Sequence, residues 1–117
     1  MISFSLDLRA TSWNTLARKS HWVYTQVFDE WKQATWAAIV ENKIQPIKGP
    51  VDITVTAFFN DKRAHDSDNI CIKPLLDQLV TDGILEGDHL DIVRSVTLKA
   101  RRGSKTCLVV EIKAASI

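Results

Sequence analysis

The chain has 117 residues, 45% of them hydrophobic and 25% charged, and its 15 basic and 14 acidic side chains leave a formal charge of +1. This is the size of one domain with its own core, and the composition excludes a disordered or collagen-like chain. The start Met-Ile-Ser-Phe-Ser-Leu-Asp lacks the basic and apolar run of a signal peptide, and no apolar stretch approaches the roughly 20 residues that span a bilayer. A single cytoplasmic domain over residues 1–117, without membrane contact, is therefore expected.

Taken in order, Ile2, Phe4, Leu6 and Leu8 alternate with polar residues as far as Arg9, the period of a half-buried strand. From Ala10 to Lys19 the pattern breaks. Trp13, Asn14, Arg18 and Lys19 supply stacking and phosphate-contacting side chains useful against nucleic acid, or a surface loop pinned by one tryptophan. Ser20 suits an N-cap, and Val23, Val27, Trp31, Ala34 and Ala38 beside Tyr24, Phe28 and Ile39 predict a helix from His21 to Asn42. Trp22 and Trp36 lie at the edges of that stripe. Either they pack under loops of the same chain, or they mark a surface for a partner.

Lys43 to Pro50 is a short connection, and Val51 to Phe59 alternates as a second strand. The stretch Asn60 to His65 carries Lys62 and Arg63. Pro74 restricts the next helix to begin close to Lys73, and Gly83 suits its C-terminal cap. Ile92, Val96, Leu98 and Ala100 share a parity, and Cys107 to Ile112 follows Arg101-Arg102-Gly103-Ser104-Lys105, a pattern read as a hairpin with a basic tip. Cys71 and Cys107 lack C-x-x-C spacing and sit in apolar runs, so buried free thiols are expected. The expected fold is α+β: one small domain with a mixed sheet of strands near 2–9, 51–60, 92–101 and 105–113, one long helix and one shorter.

Chemistry concentrates in Asp66-Ser67-Asp68-Asn69, followed by Lys73 and, some twenty residues on, by Glu86-Gly87-Asp88-His89-Leu90-Asp91. Carboxylates at i and i+2 point to one side of an extended strand, so Asp66 and Asp68 can share a cation. Residues 66–91 hold seven acids against Lys73 alone, a charge of −6, whereas residues 92–117 sum to +5. Adding Asp88 makes a cluster whose repulsion is costly without a cation. Hard oxygen ligands suit Mg²⁺, with Mn²⁺ as a substitute, and such ions clamp the attacking and leaving oxygens of a phosphodiester. Lys73 would offset phosphate charge. The bland alternative is that Asp68 or Asn69 caps the next helix and Asp66 makes a turn. His65 beside Asp66 is a weak sign of a metal phosphohydrolase, because only His21 and His89 remain to complete one.

The combination Asp66-x-Asp68-Asn69, Lys73-Pro74-Leu75-Leu76-Asp77-x-Leu79 and Glu86-Gly87-Asp88 before a valine-rich strand resembles the RusA family of Holliday-junction resolvases over roughly residues 50–112. The resemblance implies a two-fold homodimer that binds four-way DNA junctions and makes paired Mg²⁺-dependent incisions in DNA recombination and repair. It assigns Asp66, Asp68 and Asp88 as metal-binding carboxylates, Lys73 as the catalytic lysine and Asn69 as their support. Asn14 echoes that family's asparagine-containing loop, and Arg18, Lys19, Lys62, Arg63, Arg101 and Arg102 are candidate DNA contacts. The chain departs from the family in one extra residue between Asn69 and Lys73, in Gly87-Asp88 where paired acids are frequent, which leaves Asp91 as a rival third ligand, and in lacking a proline-rich start to the N-terminal loop. The competing readings are a non-catalytic nucleic-acid-binding dimer with a structural metal ion and a protein-interaction module using the aromatic helix.

Overall fold

A computed structural model describes residues 1–11, 21–63, 65 and 70–115. Its elements are β1 (Ile2–Leu6), α1 (His21–Glu41), β2 (Val51–Phe59), α2 (Lys73–Thr81), β3 (Val93–Arg102) and β4 (Cys107–Ala114). The four strands form one mixed sheet in the order β1-β4-β2-β3, which with the two helices makes an α+β fold. The loop features expected between Ala10 and Lys19, apart from Ala10 and Thr11, and the Ser20 cap lie outside the described residues.

Alternation places Val51, Ile53, Val55, Ala57 and Phe59 on one face of β2, and all five are buried with Leu108, Val110 and Ile112 of β4 and Phe4 and Leu6 of β1. β1 stops at Leu6, short of the expected Arg9. From α1, Phe28, Trp31, Thr35, Ala38 and Ile39 are buried, a stripe at helical spacing. Leu75 and Leu79 of α2 join the same core.

Both helices end in the same way. Lys43 (φ 52°) follows α1 in the left-handed region, with its N–H donating to Val40 O and that of Ile44 to Ile39 O. Gly83 (φ 74°) follows α2, with Gly83 N–H donating to Val80 O and Ile84 N–H to Leu79 O. Each is a Schellman motif in which an isoleucine just past the cap packs toward the residue whose carbonyl it satisfies. Lysine at the first of these positions gave no signal in the sequence, whereas glycine at the second did.

The expected hairpin of β3 and β4 is not formed. β2 lies between them, parallel to β3 and antiparallel to β4. The connection 103–106 instead crosses the end of β2: Gly103 N–H donates to Phe59 O, Asn60 N–H donates to Thr106 Oγ1, and Thr106 Oγ1 donates to Asn60 Oδ1 at 2.7 Å. A Cβ at Gly103 would stand 3.1 Å from the Phe58 ring, so any larger residue there requires that ring to give way slightly. Among the described residues no helix is long and apolar enough to cross a membrane.

Candidate functional site

β2, α2 and β3 form a parallel β-α-β unit, so β2 and β3 finish at the same end of the sheet, where ligands commonly sit in α/β arrangements. The stretch that leaves β2 there leads into residues 66–69. Asp66, Asp68, Asn69, Asn14, Arg18 and Lys19 lie outside the described residues. What surrounds the entry to the acidic segment is described, and it is built around Asp61.

The Asp61 carboxylate accepts from Arg9 Nη2 at 2.9 Å, His65 Nε2 at 2.8 Å and the Arg63 backbone N–H at 3.2 Å. Arg102 Nη1 donates to the Asp61 carbonyl at 2.9 Å and stands 3.6 Å from its carboxylate, and Arg63 Nε is 3.9 Å away. These contacts, from His65 first and Arg9 next, hold the Asp61 carboxyl well below the usual carboxylate range. Phe59 closes the cluster. The His65 ring stacks on it with centroids 3.6 Å apart, and the Arg9 guanidinium lies 5.3 Å over the same ring. One carboxylate thus ties the segment after β1, the exit of β2 and the end of β3 together.

The sequence pattern marks Arg63 and Arg102 as candidate DNA contacts, carries no signal for Arg9 or Asp61, and offers His65 only as a weak metal ligand. Lys62, Arg63 and Arg101 are exposed, and Arg101 Nη1 donates to the neighbouring Ala100 carbonyl rather than to an acid.

α2 carries the chain away from this end. Its N-cap is Ile72, which offers no side-chain acceptor, so neither Asp68 nor Asn69 occupies the cap position that was the bland explanation of those acids. Lys73 is exposed at the first turn and pairs with Asp77 at 3.3 Å. Asp88 and Asp91 follow the far end of the helix, beside the start of β3: Ile92 and Val93 N–H both donate to His89 O, and Val51 N–H donates to Ile92 O. The eight-residue run of β3 from Val93 to Ala100 separates that loop from the His65 cluster, about 23 Å at strand rise. The helix-and-return connection does not fold Asp88 back beside the exit of β2.

Asp88 is exposed, with no hydrogen bond or ion pair to a described residue, which leaves its oxygens available to a hard cation. Asp91 Oδ2 stands 3.9 Å from His89 Nδ1, and Glu86 Oε1 accepts from Gly49 N–H at 3.1 Å. Gly87 is buried against His89, since a Cβ would meet that ring at 3.1 Å. Among the described residues no group of three or more His, Cys, Asp or Glu side chains is placed to hold a metal ion. Cys71 is buried and its thiol is pushed up by burial, while Cys107 is half-buried; both are free. The chain matches no protein-family model and no curated protein.

Proposed function

We propose that this protein is a RusA-like, Mg²⁺-dependent endonuclease of branched DNA, acting in the cytoplasm as a homodimer in recombination and repair. The observation that carries the reading is the Asp66-x-Asp68-Asn69 motif with Lys73, set in the connection from the end of β2 to α2, whose cap residue is Ile72 rather than one of the acids. Support comes from the arginines gathered at the entry to that segment, which suit a polyanion, and from the exposed carboxylate of Asp88. Bound Mg²⁺ would activate water and stabilise charge on the phosphodiester; Asp66 and Asp68 would hold it, and Lys73 would meet phosphate charge.

The separation of Asp88 from His65 adds a condition. Within this reading Asp88 serves the site of the second protomer, which makes the homodimer part of the active centre. Trp22 and Trp36 are 71% and 54% exposed on α1, and Trp36 lines a groove of about 640 Å³ with Leu8, Ala34 and Ala37, surface suited to a second copy.

The test is cleavage of a four-way junction, a flap and a linear duplex with and without Mg²⁺, for the parent and Asp68→Asn. Metal-dependent cutting of the junction that collapses in Asp68→Asn while junction binding survives is expected. Equal cleavage by the folded variant would end the metal-nuclease reading. Binding without cleavage by the parent would favour the non-catalytic dimer.

A further inference from the structure

At the carboxyl ends of β2 and β3 lies a half-open cavity of about 110 Å³ lined by Phe59, His65, Ala100, Arg101 and Arg102. A single water needs only about 10–15 Å³, so the space admits a polyatomic group. Its polar walls are the two arginines and the histidine. Asp61 lies behind them and is already engaged: His65 Nε2 and Arg102 Nη1 are the atoms turned toward it. A guanidinium has five N–H donors, and the Arg102 contacts to Asp61 run through one nitrogen, so donors are left for a ligand. Arg9, Arg63 and Arg102 stand around the Asp61 carboxylate and Arg101 lines the cavity, so these bases outnumber Asp61.

We propose that Asp61 is a positioning residue that holds His65 and Arg102 in place, and that the cavity they line with Arg101 seats one phosphate group of a nucleic-acid backbone. The assignment rests on the nucleic-acid part of the function proposed above but requires no cleavage. The stack of His65 on Phe59 and the Arg9 contact to the same ring fix the array from behind, so the donors are set before the phosphate arrives. A positioning role and a simple charge role predict opposite signs. If only net charge mattered, Asp61→Asn would tighten DNA binding by removing a negative charge. With the array released, binding weakens.

The experiment follows the ring signals of His21, His65 and His89 by NMR in the full chain without divalent metal, titrating inorganic phosphate in one arm and a short DNA duplex in the other. The His65 signals should move in both arms and saturate at lower concentration with DNA. Asp61→Asn should bind the duplex about tenfold more weakly, the scale of one charge-assisted contact. Arg102→Ala should weaken it similarly and flatten the slope of log affinity against log salt by about one unit, with Arg102→Lys recovering part of the loss. If Asp61→Asn does not unfold cooperatively, the Arg102 pair carries the test. Stationary His65 signals with DNA, a response to free phosphate alone, or variants that bind as tightly as the parent would overturn the assignment. A protein that passes but never cuts DNA loses the nuclease reading and keeps this one.

Discussion

His65 lies flat on Phe59, the two rings 3.6 Å apart between centroids and within 6° of parallel, at the point where the chain leaves the sheet for its acidic segment. Phe59 is only 5% exposed, so it is a core residue on one face and a platform on the other. Phe59→Ala should lower the unfolding free energy by about 3–5 kcal/mol, as large aromatic truncations in cores do, measured by urea denaturation. A loss under about 1 kcal/mol would mean that the ring is not packed as described.

The paired helix ends give a contrast of sign. Gly83→Ala forces a Cβ into the left-handed region at φ 74° and should destabilise by about 1–2 kcal/mol, although nothing lies within 4 Å of the added atom. Lys43→Gly relieves the same conformation at φ 52° and should raise stability by up to about 1 kcal/mol. Thermal melts of the two variants test the pair, and shifts in the same direction would refute the shared motif.

Asp61 sets an acid limit. Its carboxyl is held below the ordinary range in the folded chain, so between an unfolded value of about 3.9 and that lower value the unfolded state binds more protons. The contribution is complete above the unfolded value and is lost as pH falls through the folded one. Urea midpoints of the parent and Asp61→Asn should differ fully above about pH 5 and converge as pH drops below about 4. A gap that widens on acidification would contradict the ion-paired arrangement.

Subunit complementation tests whether Asp88 works across the dimer. Asp68→Asn and Asp88→Asn should each be inactive alone, and mixed, refolded protomers should regain junction cleavage, because one hybrid site then carries both native acids. No recovery in a mixture shown by sedimentation to be dimeric would mean that Asp88 does not serve the partner's site. If Asp91→Asn is the inactive variant in place of Asp88→Asn, the rival ligand is the correct one.

Local pattern was enough for most elements. The alternation of Val51 to Phe59, the stripe through Phe28 and Trp31, and the bracketing of α2 by Pro74 and Gly83 are each written within a few residues of chain, where periodicity and backbone preference act. The acidic motif, too, is a short-range feature that can be read directly. Three things depended on the tertiary structure. Strand order was one: Arg101 to Lys105 resembles a hairpin turn, but pairing β2 between β3 and β4 buries β2 on the core face, and no local signal encodes that choice. The direction of α2 was another, since it carries Asp88 to the end of the sheet away from His65. The last was Asp61, unremarkable among neighbouring charges, which becomes a hub because Arg9 and Arg102, 52 and 41 residues distant in sequence, are brought to it by the ends of two strands. Contacts over such separations arise from packing, and periodicity within a segment carries no record of them.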